Sequence, residues 1–197
     1  PPPPPPPFFF FIQKPPSPIL SGLVGSEMCI RDRISSVLRS IDQEQFNCEL
    51  DIFGGSTLGH HFRHILEFYL IFLDGIESGL VSYDKRIRNK EWEQSIESAT
   101  IMFNSLIPKI KDIKADKFIE LEYGDSYGEK EYSSQRIQTT ITRELSFVVE
   151  HSIHHLAMIK MGIRHAFPEI EINKVIGVAP STIKYQSNVH TDISSKK

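Results

Sequence analysis

The sequence is poor in cysteine, which excludes a disulfide-stapled scaffold. Only two cysteines occur among 197 residues, Cys29 and Cys48, and neither belongs to a CxxC pair. An excess of one charge is missing as well: 22 Lys and Arg stand against 25 Asp and Glu, for a formal net charge of −3. This balance does not favour nucleic acid or anionic lipid as a partner. We therefore expect a protein of a reducing, cytoplasmic compartment that binds neither nucleic acid nor membrane.

Several common catalytic motifs are also absent. The chain contains no glycine-rich phosphate loop and no GxSxG element, so nucleotide binding and serine hydrolysis have no support. For Cys48 we expect a small buried hydrophobic residue and not a nucleophile.

Proline is nearly missing beyond residue 33, because ten of the 13 prolines precede residue 34. The opening proline run is typical of polyproline II or disordered chain and cannot form a packed core. Residues 26–33 (SEMCIRDR) resemble an in-frame translation of a sequencing-adapter oligonucleotide. We therefore expect residues 1–33 to be disordered and extraneous, the true N-terminus to be lost, and the folded domain to span residues 34–185, followed by a disordered tail at 186–197.

Apolar residues at helical spacing predict four long helices. Their expected extents are Ile34–Gln45, Thr57–Ile76 with Ser56 as its N-cap, Asn89–Lys114 with a kink or division at Pro108, and Thr140–Ile163. Between the last two, the alternation in Phe118–Tyr123 and the turn residues Gly124, Asp125 and Gly128 predict a small hairpin. From Glu169 onward we expect irregular chain. The fold class is therefore all-α, a four-helix bundle with a small β-hairpin between helices three and four.

Six of the eight histidines fall on two of these helices, in a pattern that favours a metal site. His60, His61 and His64 lie on the second helix; His151, His154 and His155 lie on the fourth. Histidines spaced i and i+4 share one face of a helix, so His151 lies above His155 and His60 above His64. An apolar stripe borders the pair on the fourth helix, which therefore points toward the bundle interior or its mouth.

Two histidines from one helix and a third from a packed neighbour are sufficient to hold a divalent metal with one coordination position open. Imidazole suits Zn, Ni, Fe or Cu, and the spacing does not choose among them. The alternative is that these are hydrogen-bonded core histidines without a metal. We expect His60, His61 and His154 to lie in the second shell or at the surface.

Two further features are candidates for chemistry. Glu144 lies two turns before His151, where it could orient a ligand or act as a general base; a salt bridge with Arg143 is the alternative. Residues 83–88 (YDKRIR) could bind an anion, but a solvated, charged helix start explains them more simply.

The motifs together resemble the DinB-like superfamily (DinB/YfiT type) over essentially all of residues 34–185. The resemblance is carried by Ser56–His64 (STLGHHFRH), Tyr83–Arg86, Arg143–Leu145, Glu150–His155 (EHSIHH) and Ala179–Thr182. It implies an up-down-down-up four-helix bundle whose divalent metal is held by His64, His151 and His155, with His61 as the reserve for His64. Zinc is the leading metal, with Ni, Fe or Mn as alternatives.

The resemblance implies less about activity. Members of known activity include thiol-dependent transferases, in which the metal activates a low-molecular-weight thiol, and related isomerases. Our leading hypothesis is a metal-dependent enzyme, a transferase or hydrolase acting on a small molecule, with a thiol S-transferase as its specific form and Glu144 as proton acceptor. A non-catalytic, structural metal-binding bundle and a metal-free interaction module are the alternatives. A homodimer through exposed apolar helix faces is compatible with the pattern.

Overall fold

The computed structural model describes residues 18–124 and 134–186, and this part of the chain is mostly helical. Its helices are α1 (Pro18–Ser40), α2 (Gln43–Asn47), a 3₁₀ turn (Asp51–Phe53), α3 (Leu58–Ser78), α4 (Lys90–Gln94), α5 (Ile96–Lys111) and α6 (Ile141–Ala166). Its strands are β1 (Glu49–Leu50), β2 (Ser56–Thr57), β3 (Leu80–Val81), β4 (Phe118–Gly124) and β5 (Ser134–Thr140).

Four long helices surround one apolar core. α3 packs against α6 and α5, and α1 packs against the same two helices from the other side. The largest fully buried side chains come mainly from α3 and include Phe62, Tyr69 and Phe72. This explains why α3 is apolar over so much of its surface: it faces several neighbours at once. Within the described ranges, no helix combines the length and apolarity needed to cross a bilayer.

The first helix is longer than expected at its start. α1 begins at Pro18, so the prediction of disorder for residues 1–33 is wrong for residues 18–33; residues 1–17 lie outside the described part. The physical reason is that Ile30 is buried and extends the stripe of Ile34 and Val37 by one turn toward the N-terminus. The adapter origin of this segment stays a prediction.

The first helix is also shorter than expected at its end. It stops at Ser40, and Asp42 caps the separate helix α2 through a reciprocal capping box with Gln45. Cys48 follows α2 and is exposed, so the expectation of a buried residue is wrong. It lies in the short connection to β1 and not on a core-facing helix position.

The N-cap of α3 is Thr57 and not Ser56. Thr57 Oγ1 accepts a hydrogen bond from the backbone N–H of His60 (3.1 Å), while the Thr57 N–H donates to His60 Nδ1 (3.1 Å). Ser56 is paired with Leu50 across the β1–β2 ladder. The capping function therefore falls one residue later and uses the His60 side chain.

The third predicted helix is divided, but not at its proline. α4 and α5 meet at Ser95, whose backbone is extended (φ −130°, ψ 115°) and whose hydroxyl accepts from the N–H of Ser98. α5 continues through Pro108 to Lys111, so the predicted division there is wrong. Ser95 interrupts the helix because it serves as the cap of α5.

The hairpin before the last helix is confirmed and belongs to a three-stranded sheet. β4 and β5 pair antiparallel from Phe118 with Thr140 to Gly124 with Ser134. β3 adds a parallel strand beside β4, with Leu80 opposite Glu120. A two-residue strand has no periodicity, so β3 could not be predicted from the pattern of apolar residues. Of the expected turn residues, Asp125 and Gly128 lie outside the described residues.

The last helix and the chain after it follow the prediction with two differences. Thr140 caps α6 as its N-terminal boundary, and the helix runs three residues past Ile163 to Ala166. The chain from residue 169 was expected to be irregular, but residues 180–186 form a short helical segment. Residues 187–197 lie outside the described part.

We predict that Gly59→Ala destabilises the protein by about 1–3 kcal/mol, because the added methyl group would overpack the contact between α3 and α4. A Cβ on Gly59 would lie 2.0 Å from the backbone oxygen of Glu93 and 2.8 Å from the Phe46 ring. Urea denaturation measures the change. Gly25→Ala in α1 is the control, since nothing lies within 4 Å of its Cβ; it should be neutral or stabilising. Equal stability of the two variants would contradict this packing.

Candidate metal centre

The packing of α3 against α6 brings three predicted histidines together. One ring nitrogen from each of His64, His151 and His155 lies within 4.8 Å of the others. The Nε2 atoms of His64 and His151 are 2.9 Å apart, and each of these two rings has its centroid 4.5 Å from that of His155. All three side chains are partly buried. The structure thus joins the residues that the family resemblance implied.

His61 lies beside this triad and contacts His155. Its Nδ1 is 3.1 Å from Nδ1 of His155, and the edge of its ring meets Phe53 at a centroid distance of 4.5 Å. His61 is buried, and its Nε2 has no hydrogen-bond partner among the described residues. The geometry therefore favours His64 as the triad member from α3. His61 lies next to His155.

The other two histidines of the clusters point elsewhere. His60 is used in the cap of α3 and pairs through Nε2 with Glu93 at 2.9 Å. His154 is exposed, and its ring meets the His155 ring edge-on. Both positions agree with the expectation that these residues lie outside the triad.

Aromatic side chains form one wall of the site. Phe68 stacks on His151 with ring centroids 4.0 Å apart and an angle of 16° between the planes. Tyr83 in turn stacks on Phe68 at 4.8 Å, and Phe147 packs against both Tyr83 and His151. This wall packs against the imidazole of His151 and limits its rotation.

Burial holds the histidines neutral. It is the largest cause that lowers the pKa of His155 to about 2, of His64 to about 3, and of His151 and His61 to about 4. Neighbouring positive charge lowers the pKa further, from Arg86 and the other histidines in the case of His64. A neutral imidazole offers the lone pair that a metal requires.

The donor set fits a divalent metal. A tetrahedral zinc ion with Zn–N bonds of about 2.0–2.1 Å has its ligand atoms roughly 3.3 Å apart. The triad nitrogens lie within 4.8 Å of one another, which is close to that spacing. Three imidazoles leave at least one coordination position open.

Arg86 is a close neighbour of the triad that the metal-ligand pattern did not identify. Its Nη1 atom lies 2.5 Å from Nδ1 of His64, and its guanidinium carbon lies 5.6 Å from the centroid of the Phe68 ring. The sequence signal was the basic segment at residues 83–88. Phe68 could have been found as the i+4 neighbour of His64 on α3.

Glu144 belongs to a separate polar network. It is fully buried, and its carboxylate accepts hydrogen bonds from Tyr83 (3.0 Å), Thr139 (2.7 Å) and Arg143 (2.7 Å). No recorded contact among the described residues joins it to a triad histidine. The salt bridge with Arg143 weighed as the alternative is therefore present, and the general-base role stays a prediction.

Comparison with known proteins gives the family. The model described as DinB family matches residues 27–166. No curated protein and no solved structure matches the chain significantly. The match extends over more than half of the sequence, so the chain belongs to the DinB family.

We predict that the metal-free protein loses stability as the pH falls below about 6.5. Above that pH an imidazole in the unfolded chain is neutral too. The four buried histidines therefore bind no proton in either the folded or the unfolded state. Below about pH 6.5 these histidines become protonated in the unfolded chain but stay neutral in the folded protein. The free energy of unfolding therefore decreases. His155→Asn should reduce the loss between pH 7.5 and pH 5 by up to about 2 kcal/mol.

Urea denaturation of the chelator-treated protein at the two pH values measures this difference. His165→Asn is the matched control, since His165 lies on the same helix but is exposed, and it should keep the loss of the unmodified chain. An unchanged pH dependence in His155→Asn would show that His155 is not held neutral.

Proposed function

We propose that this member of the DinB family is a divalent-metal-dependent enzyme that acts on a small molecule, and that its reaction is transfer of a thiol sulfur to an electrophile. The observation that carries the proposal is the triad of His64, His151 and His155, three neutral imidazoles from two packed helices. We also propose that the four long helices are arranged up-down-down-up, as the family resemblance implies.

His64, His151 and His155 would each hold the metal through one nitrogen, with zinc as the leading candidate and Ni, Fe or Mn as alternatives. When bound, the metal supplies Lewis acidity that lowers the pKa of a thiol or water at the open coordination position. The Nδ1 atom of His61 lies 3.1 Å from Nδ1 of His155. Such a partner fixes the ring orientation and tautomer of a ligating histidine.

In this proposal, the aromatic wall of Phe68, Tyr83 and Phe147 excludes water from one side of the site. Electrostatic interactions are stronger where water is excluded, which favours stabilisation of a thiolate beside a cation. The Tyr83 hydroxyl donates to Glu144. Burial and the Glu144 carboxylate raise the pKa of Tyr83, so this phenol stays protonated.

Glu144 acts, in this proposal, by positioning Tyr83 and through it Phe68. Its carboxylate already accepts three hydrogen bonds, which leaves little capacity to take a proton from a substrate. The predicted general-base role would require this network to open.

A structural metal site is the second candidate function. It is favoured by one observation: among the described residues, no carboxylate is in recorded contact with a triad histidine. In that case the metal would stabilise the packing of α3 against α6 and carry no chemistry. A cytoplasmic location, the absence of a nucleic-acid partner and a homodimer remain proposals.

We expect the zinc-loaded chain to catalyse metal-dependent transfer of a small thiol to 1-chloro-2,4-dinitrobenzene, which forms an aryl thioether and releases chloride and the thiol proton. The measurement is initial rates over a panel of thiols, followed by product absorbance. His151→Ala should reduce the rate at least about 100-fold because it removes a metal ligand, whereas the exposed His154→Ala should retain it. A fully metal-loaded chain without turnover for any thiol would support the structural alternative instead.

The variant Glu144→Gln distinguishes two roles of Glu144, positioning of the aromatic wall and transfer of a proton. The amide keeps the shape and can still accept hydrogen bonds, but it cannot take up a proton. If Glu144 positions the wall, Glu144→Gln should keep most of the transfer rate, while Tyr83→Phe and Glu144→Leu should lower thermal stability by about 1–3 kcal/mol. A rate that collapses in Glu144→Gln without loss of stability would establish the general base.

A further inference from the structure

We infer that Arg86 binds a carboxylate of the small-molecule substrate beside the histidine triad, so that the substrate is an organic acid. This inference rests on the proposed function, because it concerns the same site. Arg86 is held next to the triad by the loop at residues 82–89, between β3 and α4.

The guanidinium of Arg86 has no acidic partner among the residues that the structure describes. It is partly buried, contacts the His64 ring and the Phe68 face, and its Nε is buried without a hydrogen-bond partner among the described residues. A buried or half-buried cation without an anion is unfavourable. A ligand carboxylate would supply the missing partner.

The other cations near the site do have carboxylate partners. Their ion pairs join Arg63 with Glu67 and Glu93, Lys85 with Glu122, and Arg143 with Glu144. None of the ion pairs recorded in the described ranges includes Arg86. Arg86 differs from these cations in lacking a carboxylate partner, and it differs from the exposed Arg88 in being partly buried.

The hydrogen-bonding capacity of His64 points to the same ligand. If His64 donates its Nε2 lone pair to a metal, its Nδ1 carries the proton and becomes a donor. Nδ1 of His64 then faces Nη1 of Arg86, which is also a donor. At 2.5 Å the two nitrogens leave no room for a third atom, so two donors in these positions must move apart. A ligating histidine commonly has a carboxylate in the position that this opens. Among the described residues no carboxylate is in recorded contact with His64, so a substrate carboxylate can bridge both donors.

The loop positions Arg86 through anchors on both sides. Tyr83 donates to Glu144, and Asp84 accepts from the N–H of Gly124 at 2.8 Å. After Arg86, the N–H of Asn89 donates to Glu67 at 3.1 Å. Arg88 adopts a left-handed conformation (φ 55°), which is uncommon for a residue with a side chain. The chain is thus tightly constrained on both sides of Arg86, whereas Arg88 itself points to solvent.

Two pairs of probes test the inference on the zinc-loaded full chain by calorimetry and NMR titration. 3-Mercaptopropionate and its neutral amide differ in charge but share the thiol; propionate and propanamide lack the thiol. The acid of each pair should bind at least about tenfold more tightly than the amide, since a charge-assisted hydrogen bond is stronger than a neutral one. Arg86→Gln should abolish that preference, and the exposed Arg88→Gln should keep it.

The outcomes separate this inference from the proposed function. A preference for acid over amide that persists in Arg86→Gln, or that is missing in the unmodified chain, would overturn the role of Arg86. If the thiol compounds bind no better than the thiol-free ones while Arg86 still selects the acids, the inference stands and the thiol chemistry fails. Inorganic phosphate binding as tightly as propionate would replace the carboxylate with a phosphate ligand and overturn the organic-acid assignment.

Discussion

The site depends on one contact, the packing of α3 against α6. Both helices bury apolar faces in the same core, and the histidines lie where those faces meet. This packing removes imidazoles from water, and burial then lowers the pKa of each one well below its ordinary value. Neutral, preassembled imidazoles are the ligand state that a metal needs. A site that requires three protonated histidines to lose protons first would bind metal more weakly at neutral pH.

The aromatic wall of Phe68, Tyr83 and Phe147 lies between two groups of polar side chains. On one side, His64, His151 and His155 face one another without a carboxylate in recorded contact among the described residues. On the other, the buried Glu144 is satisfied by Tyr83 and its other donors. Tyr83 stacks on Phe68 and Phe68 on His151, and in the proposed function the Glu144 network positions the triad through these contacts. The proposed chemistry then relies on the metal and on the substrate's own groups.

The sequence predicted much of this arrangement, and its failures have local causes. Helical periodicity located α3 and α6, and the i, i+4 spacing of His151 and His155 predicted their shared face, because both signals depend only on helix geometry. The start of α1 was not predicted, because the proline-rich composition before residue 34 indicated disorder. The apolar stripe of the helix nevertheless continues to Ile30. The parallel strand β3 was missed because two residues carry no period. The contact of Arg86 with His64 arises from a loop, whose path depends on tertiary anchors that periodicity does not reveal.

Metal content of the purified, untagged chain tests the central claim most directly. Elemental analysis should find about one divalent metal per chain, and the metal should be lost in His64→Ala, His151→Ala and His155→Ala. It should be retained in His154→Ala, whose side chain is exposed on the same helix as two of the proposed ligands. A chain that binds no metal after reconstitution with Zn, Ni, Mn and Fe would contradict the account, as would one whose metal survives all three triad substitutions.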